Sequence, residues 1–255
     1  MDEAWLAGVD ACAGGWLAAF VPPGDGTVRL RVFRRFTDLL EAVERPGLIA
    51  IDIPIGLPER IGRGGRAAET AVRPLLGARQ SSVFSTPARP AIYAEAGWVP
   101  NVDEMLAAHA RASEIARATS DPPKGVSIQA FCLFPKIREV DEVLRTEPGV
   151  ARRVFETHPE VTFWRLNGET PLGEPKKVRG QPFGRGLALR RKLLATAGLP
   201  AGALELRAPP GAGEDDVLDA LACAVTARRL RAGEAVSYPN PPETDPFGLP
   251  MAIWM

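Results

Sequence analysis

The sequence predicts an α/β protein whose mixed sheet is antiparallel in its first three strands and parallel afterwards, with helices flanking it. Three observations lead to this prediction. The chain opens with three strand-like runs separated only by turns, a helix-like segment then precedes the nearly continuous apolar run LIAIDIPIG, and helix-like segments dominate the remainder. A continuous apolar run is typical of a central strand that is covered on both faces.

The three opening strands are predicted at residues 5–11, 16–22 and 28–36. Gly14 and Gly15 favour a tight hairpin between the first two strands, because glycine readily adopts the positive φ that such turns need. The third run, VRLRVFRRF, alternates apolar and charged residues and therefore predicts a half-exposed strand. Together these features predict an antiparallel start to the sheet.

A short helix and a fourth strand are expected next. Thr37 is the candidate N-cap of the helix, since a hydroxyl oxygen can accept a hydrogen bond from a first-turn amide. The residues expected on its buried face are Leu39, Leu40 and Val43. The fourth strand, LIAIDIPIG at residues 48–56, begins the parallel part of the sheet.

Residues 57–150 are predicted to be a helical insertion that caps one edge or the mouth of the sheet, because they lack strand-like runs. The helices of this insertion are expected around residues 66–76, 102–119 and 127–145.

After the insertion, ARRVFETHPEV predicts a strand that ends at Glu156, with Pro159 in the first turn of the next helix. Further helices are predicted at 184–197 and 214–232. The second of these has acids at its start and arginines at its end, which the helix dipole favours. Residues 237–255 are predicted to form a Pro-rich tail.

Composition limits the functional classes. A chain of 255 residues with 45% hydrophobic content can bury a full core, so residues 1–255 are expected to form a single domain. Its 31 basic and 31 acidic residues give no sign of binding nucleic acid by bulk charge, and any polyanion site must be a local patch. Cys12, Cys132 and Cys223 lack the spacing of a zinc or redox motif. We expect a cytoplasmic protein, because neither a signal segment nor a membrane-spanning run is evident.

Four aspartates carry most of the functional information: Asp10 in WLAGVDAC, Asp52 in LIAIDIPIG, and Asp216 and Asp219 in EDDVLDALACAV. An ionised carboxylate among apolar neighbours costs several kcal/mol unless a cation or hydrogen-bond donors compensate it. Oxygen ligands from distant parts of a chain are what Mg²⁺ requires. The pattern therefore predicts a carboxylate-bound metal and phosphoryl chemistry.

Asp10 and Asp216, with the neighbouring Asp215, also have a purely structural interpretation. Asp215 and Asp216 suit the first turn of a helix, where they would cap it and favour its dipole. Asp10 would accept hydrogen bonds from the following glycine turn. Asp219 lies a full turn inside its helix between apolar residues, where an unpaired carboxylate is hard to justify on structural grounds alone.

An aspartate in the first strand, an acid in the fourth strand and Asp-x-x-Asp-Ala on a late helix resemble the ribonuclease H-like nucleases, and the last motif resembles the closing helix of the Holliday-junction resolvases. More closely, the chain resembles the domain of unknown function 429 family, described as predicted ribonuclease H-fold nucleases. The matching stretches are GVDACAGGW (8–16), IDIPIGLP (51–58), SSVFSTPAR (81–89), SIQAFCLFPKIREVD (127–141), ETHPEV (156–161) and DDVLDALACAVTA (215–227).

The resemblance implies a two-metal site in which Asp10, Asp52, Asp216 and Asp219 hold Mg²⁺ or Mn²⁺ and catalyse hydrolysis of a phosphodiester. The segment ETHPEV is not required by the common nuclease pattern. Glu156 is a candidate extra ligand or base in it, and His158 is a candidate proton shuttle. The alternative is that His158 and Glu160 organise the turn before the helix.

Basic and polar side chains supply candidate substrate contacts. Guanidinium and ammonium groups bind phosphate, although a run of charges is more often a solvated face. The candidates for substrate binding are Arg79, Arg89, Gln129, Lys136, His158 and Arg185. The hydroxyls near residues 81–86 could contact a ligand or cap helices.

The leading functional hypothesis is a metal-dependent nuclease or phosphodiesterase that acts on nucleic acid or a phosphorylated nucleotide. An ATP-dependent phosphotransferase of the actin and sugar-kinase type stays open, since Asp10 with Gly14-Gly15 also suits a phosphate-facing hairpin. A third hypothesis is a non-catalytic nucleic-acid- or nucleotide-binding protein. The apolar end Ile253-Trp254-Met255 permits a homodimer.

Overall fold

The computed structural model describes residues 4–24, 26–95, 97, 101–199 and 201–255. Five strands form the main sheet in the order β3-β2-β1-β4-β5. The strands are β1 (Leu6–Cys12), β2 (Gly15–Val21), β3 (Arg29–Phe33), β4 (Leu48–Ile51) and β5 (Val154–Glu156).

The directions of the strands match the sequence-based prediction. β1 pairs antiparallel with β2 from Leu6↔Val21 to Cys12↔Gly15, and β2 pairs antiparallel with β3. β1 pairs parallel with β4, and β4 pairs parallel with β5. The predicted mixed α/β sheet, antiparallel first and parallel afterwards, is confirmed.

Helices lie along the chain between and after the strands. The helices are α1 (Phe36–Leu40), α2 (Ala67–Val72), α3 (Arg89–Ile92), α4 (Val102–Ala118), α5 (Ile128–Thr146), α6 (Pro148–Ala151), α7 (Pro159–Leu166), α8 (Gly184–Thr196), α9 (Ala201–Leu204) and α10 (Glu214–Ala232). A 3₁₀ segment at Arg73–Ser82 follows α2 and is kinked at Gly77.

Alternate residues of the central strands pack into two different hydrophobic cores, because successive side chains of a strand point to opposite faces of the sheet. Ala7 and Val9 belong to a core shared with α1 and α5, whereas Leu6 and Ala50 belong to a core shared with α7, α8 and α10. The sheet is therefore covered on both faces. Asp10 follows Val9 and points to the same face as Gly8, which is the face covered by α10.

Gly8 determines how closely α10 approaches β1. A Cβ at residue 8 would overlap the backbone nitrogen of Ala224 and the carbonyl oxygen of Ala220. A strand rises about 3.3 Å per residue, and a helix rises about 6 Å over four residues. The distance from Gly8 to Asp10 along β1 therefore equals about one turn of α10, counted from the contact at Ala220 and Ala224 toward the start of the helix. The close contact at Gly8 thus brings Asp10 to the part of α10 that carries Asp219.

Between β4 and β5, the described residues form α2 to α6 and the 3₁₀ segment, and add no strand to the main sheet. α5 packs over the first core through Phe134, Ile137 and Val140. Isolated backbone bridges, such as Ile61↔Ser120, tie the irregular parts of this region together.

The Pro-rich C-terminal segment forms an antiparallel hairpin, which the sequence did not predict. Its strands are β8 (Ser237–Thr244) and β9 (Pro250–Trp254), and a smaller ribbon precedes α8 with strands β6 (Lys177–Val178) and β7 (Gln181–Pro182). Trp254 packs edge-on against Phe155, with ring centroids 5.6 Å apart, and its carbonyl oxygen accepts a hydrogen bond from the Thr157 hydroxyl. The hairpin is therefore held against β5.

Two details predicted for α1 were wrong. The N-cap position is occupied by Arg35 rather than Thr37, because the Phe36 amide donates to the carboxylate of Glu139 on α5 and needs no local hydroxyl. Val43, expected to be buried, lies beyond the end of α1 and is 78% exposed. A tertiary contact here replaces the local cap.

Within the described part of the chain, no helix combines the length and the apolar character that crossing a bilayer requires.

We expect Gly8→Ala to destabilise the fold, because the added methyl group must separate α10 from β1. Overpacking of this kind typically costs about 1–3 kcal/mol, which would lower the melting temperature by roughly 3–10 °C in a chain of this size. Thermal denaturation measures the effect. Gly149→Ala is the matched control, since a Cβ at residue 149 meets no atom within 4 Å. Equal melting temperatures for the two variants would contradict the close contact.

Candidate functional site

Asp10 and Asp52 lie side by side at the carboxyl ends of neighbouring parallel strands. The register pairs Val9 with Ile51, and the Asp52 amide donates to the Val9 carbonyl oxygen over 2.9 Å. The residue after each member of this pair is therefore an aspartate. From β1 the chain continues to β2 on one side of this strand pair, and from β4 it continues to β5 on the other side. A crevice forms where the chain diverges in this way, and ligands of α/β proteins bind in such crevices.

Asp10 lies deep in this crevice and is 7% exposed. Burial raises the pKa of its carboxyl group well above the usual value, and the carboxylates of Asp219 and Asp52 raise it further. Burial likewise raises the pKa of Asp52, although His158 and Lys176 oppose that rise. In both positions, the surrounding positive charges and hydrogen-bond donors stabilise the ionised carboxylate less than water would.

Asp219 on α10 reaches the same crevice and is 1% exposed. Its Oδ2 contacts the ammonium group of Lys176, whereas its Oδ1 has no hydrogen-bond partner among the described residues. Burial raises the pKa of Asp219 to about 6 despite the opposing Lys176 charge. Burial and the same three aspartates also raise the pKa of the Cys223 thiol, which keeps that neighbour neutral.

Asp216 and Asp215 each have a hydrogen-bond or ion-pair partner of their own. Asp216 Oδ2 accepts the Gly213 amide over 2.8 Å, which caps the first turn of α10. Asp215 pairs with Lys177, with 2.6 Å between Oδ2 and Nζ. Asp216 is nevertheless close enough to raise the pKa of Asp10. Of the four aspartates predicted as metal ligands, Asp10, Asp52 and Asp219 act on one another electrostatically, and Asp216 lies at their margin with one oxygen engaged.

Glu160 is a further carboxylate of the site that the sequence reasoning treated only as part of a turn. It lies in the first turn of α7 and is 6% exposed. Its Oε1 pairs with the fully buried guanidinium of Arg190, and its Oε2 has no partner. Arg190 itself donates to the carbonyl oxygens of Gly186 and Glu174. One oxygen of Glu160 is thus neutralised and fixed, and the other is available.

Asp52, Glu160 and Asp219 line a cleft of about 370 Å³, whereas Asp10 lies behind them and is not part of its lining. Its lining residues are Asp52, Arg79, Ser81, Ser82, His158, Pro159, Glu160, Pro175, Lys176, Lys177 and Asp219. Carboxylates occupy one part of this lining, while guanidinium, ammonium, imidazole and hydroxyl groups occupy the rest. Such a mixture suits a ligand that carries both a phosphate and a cation.

The cleft contains two of the predicted substrate-binding residues, Arg79 and His158. Arg79 comes from the 3₁₀ segment, and its Nε has no hydrogen-bond partner. His158 caps α7, because its Nδ1 accepts the Glu160 amide over 3.2 Å. The interpretation that His158 organises this turn therefore agrees with the structure, and its ring also faces the cleft.

Glu156, predicted as an extra catalytic residue, lies in a separate buried network. Its carboxylate accepts hydrogen bonds from both terminal nitrogens of Arg66 and from the Ile55 amide. Arg66 also pairs with Glu69. Burial raises the pKa of Glu156 to about 7, and Arg66 opposes the rise. Glu156 is not among the residues that line the cleft.

The remaining predicted substrate contacts also lie outside the cleft lining. Arg89 is buried in ion pairs with Asp141 and Asp245, at 2.5 and 2.7 Å. Lys136 lies over the Trp16 ring, 4.4 Å from its centroid, and contacts the Gly15 carbonyl oxygen. Gln129 and Arg185 are exposed near the starts of α5 and α8.

The carboxylates fit a hard divalent cation in their chemistry, because they are oxygen donors, they outnumber the local cations, and the buried Asp219 Oδ1 is unpartnered. Their present spacing differs from that of a metal-bound site. Among the described residues, no three His, Cys, Asp or Glu side chains are grouped closely enough to hold a metal ion. The Lys176 ammonium lies against Asp219 instead.

We expect the free energy of unfolding of the metal-free protein to fall as the pH rises from about 4 to about 6. Because the pKa of Asp219 is raised from 3.8 to about 6, its protonation favours the folded state, and this stability is lost as the pH rises through about 6. Asp219→Asn should therefore flatten the pH dependence measured by denaturant titration. Asp38→Asn is the control, because Arg35 lowers the pKa of that exposed carboxyl group. Parallel curves for wild type and Asp219→Asn would contradict the assignment.

Comparison with known proteins identifies the family but no activity. Residues 8–244 match the model of a family described as "Protein of unknown function (DUF429)". No curated protein and no solved structure was found to match the chain. The match extends from the first strand, through the cleft and α10, into β8. The chain therefore belongs to the DUF429 family.

Proposed function

We propose that this protein is a metal-dependent nuclease or phosphodiesterase with a ribonuclease H-like fold. The observation that carries the proposal is that Asp10 and Asp52 lie at the carboxyl ends of two adjacent parallel strands, where the carboxylate of Asp219 from α10 acts on Asp10 and lines the cleft together with Asp52. The sheet order β3-β2-β1-β4-β5, with its first three strands antiparallel, supports the assignment of the fold. The position of Asp219 on the helix that covers this sheet supports it further.

The charge of the site favours a cation. Asp10, Asp52 and Asp219 share the Lys176 ammonium, since Glu160 is paired with Arg190 and Lys177 with Asp215. Three carboxylates against one ammonium leave an excess of negative charge, which is consistent with the raised pKa values. A divalent ion would remove this excess.

Asp10, Asp52 and Asp219 would hold Mg²⁺ or Mn²⁺, and Asp216 would contribute only the oxygen that does not accept the Gly213 amide. Bound there, such ions supply activation of the attacking water and stabilisation of the leaving oxygen. The oxygen-only donor set matches the preference of both ions.

The side chains around the carboxylates would bind the substrate and move protons. Hydrolysis joins a water oxygen to phosphorus, breaks the phosphorus–oxygen ester bond, and transfers a water proton to a base while the leaving oxygen gains one. The free Oε2 of Glu160 is placed to accept the first proton, and His158 to exchange protons with solvent. Arg79 and Lys177 would hold the phosphate oxygens.

The substrate is nucleic acid or a phosphorylated nucleotide. The cleft volume of about 370 Å³ lies within the range of small-ligand pockets, so it accommodates about one nucleotide at a time. The chain has equal numbers of acidic and basic residues, and recognition would therefore depend on the local cations of the cleft rather than on bulk charge.

No specific observation favours the phosphotransferase alternative. That mechanism would use the backbone amides of the β1–β2 turn to bind phosphate. The Gly14 amide instead donates to the Gly211 carbonyl oxygen over 2.8 Å, and the two glycines are in close contact. The turn is thereby covered by the loop before α10.

We expect cleavage of at least one member of a labelled panel that contains single-stranded and duplex DNA, RNA, an RNA/DNA hybrid and a four-way junction. Cleavage should require Mn²⁺ or Mg²⁺, and Asp52→Asn should lower the rate at least about a hundredfold, because it removes one oxygen ligand and its charge. Asp38→Asn removes an exposed carboxylate and should cleave like wild type. No cleavage of any member with metal bound would redirect the proposal to a small phosphorylated substrate.

Arg79→Ala should lower kcat/KM about tenfold to a hundredfold, mainly by raising KM, because one charge-assisted hydrogen bond to phosphate is worth about 1.5–3 kcal/mol. Steady-state kinetics on the cleaved substrate measures this. Arg63→Ala is the matched control, since Arg63 is exposed and does not line the cleft. Similar kinetics for the two variants would exclude Arg79 from phosphate binding.

A further inference from the structure

Lys176 holds an unusual position for a lysine. Its ammonium contacts Asp219 Oδ2, and the carboxylates of Asp219, Asp10 and Asp52 all act on it electrostatically. It therefore lies within the charge cluster that would otherwise attract a cation. The side chain is 33% exposed, so the ammonium also has a route to the open side of the cleft.

The backbone around Lys176 combines a fixed base with an exposed tip. At the base, Arg190 donates to the Glu174 carbonyl oxygen, and the Phe183 amide donates to the Lys176 carbonyl oxygen over 2.9 Å. At the tip, Arg179 and Gly180 both have positive φ, as in a two-residue hairpin turn. All four residues of β6 and β7 are exposed. The backbone of Lys176 is thus fixed at the base of the β6–β7 ribbon. Its long side chain can change conformation without a movement of this backbone.

A second observation indicates that this cluster is built to hold a ligand. Asp219 is 1% exposed and lines the cleft, yet within the described part of the chain its Oδ1 has no hydrogen-bond partner. A buried carboxylate oxygen without a partner costs free energy. Lys176 satisfies Oδ2 alone, and a single ammonium cannot neutralise three carboxylates.

We propose that Lys176 is a displaceable counter-ion: without metal its ammonium occupies the cation position of the cluster, and a divalent cation displaces it toward the open cleft. The inference rests on the proposed metal-dependent function and adds a competition within the same site. Lysine suits such a role, because its ammonium is a compact charge on a flexible four-carbon stem. Once displaced, it would face the side of the cleft where a substrate phosphate binds.

Binding of Mn²⁺ to the wild type, Lys176→Met and Lys192→Met tests the competition, measured by calorimetry on folded protein without substrate. Removing a competing unit charge at contact distance should tighten Mn²⁺ binding by Lys176→Met at least about tenfold. Lys192→Met is the matched control, since Lys192 is exposed on α8 and does not line the cleft. Its affinity should stay within about twofold of wild type. Equal or weaker binding by Lys176→Met would overturn the proposal.

A second measurement needs no variant. Reductive methylation of wild-type protein, quantified by mass spectrometry, should modify Lys176 faster with saturating Mn²⁺ than without it, whereas the exposed Lys192 serves as the internal reference. An unchanged or slower reaction at Lys176 would overturn the displacement.

Neither readout depends on cleavage, so the two proposals can fail separately. Metal binding with displacement of Lys176 but no hydrolysis of any phosphodiester would remove the proposed activity and leave the inference standing. Metal-dependent hydrolysis without tighter binding by Lys176→Met, and without a change in Lys176 labelling, would remove the inference alone.

Discussion

Helix α10 lies on β1 so closely that only a hydrogen atom fits at residue 8, and the arrangement of the site depends on this contact. With the helix at this distance, the carboxylates of Asp10 and Asp219 share one buried space. The parallel register of β4 with β1 places Asp52 beside Asp10. A side chain at residue 8 would separate the same two elements that carry the acids. The packing of an alanine-rich helix face on a glycine therefore has a chemical consequence as well as a structural one.

Concentrating acids in a buried crevice destabilises the fold locally, and the structure offsets this cost only in part. Arg190 neutralises one oxygen of Glu160, and Lys176 neutralises one oxygen of Asp219. The raised pKa values of Asp10 and Asp219 reflect the remainder. Buried carboxylates outside the cleft have other hydrogen-bond partners. Glu156 is engaged by Arg66 and a backbone amide, which marks it as part of the framework. Both oxygens of Glu156 accept hydrogen bonds, whereas Asp219 and Glu160 in the cleft each have one oxygen without a partner among the described residues.

Much of this arrangement could be predicted from the sequence, because its signals are local. A charged residue within an apolar strand, or a full turn inside an apolar helix, stands out in Asp52 and Asp219, and the helix that carries Asp219 was predicted within its observed bounds. Glu160 was missed because an acid in a first turn usually caps the helix, and its partner Arg190 is thirty residues away. The pairing of Arg89 with Asp245, which are 156 residues apart, has no local signature at all. The C-terminal hairpin was missed because prolines normally indicate irregular chain, although edge strands tolerate them.

We propose that the three aspartates form a cation site, which Lys176 occupies in the absence of metal. Anomalous diffraction at the manganese edge, from a crystal grown with Mn²⁺, tests it most directly. The account predicts a peak about 2.1 Å from carboxylate oxygens of Asp10, Asp52 and Asp219, with the Lys176 ammonium moved away from Asp219. Saturating Mn²⁺ with no peak among these aspartates, and with Lys176 still against Asp219, would contradict it.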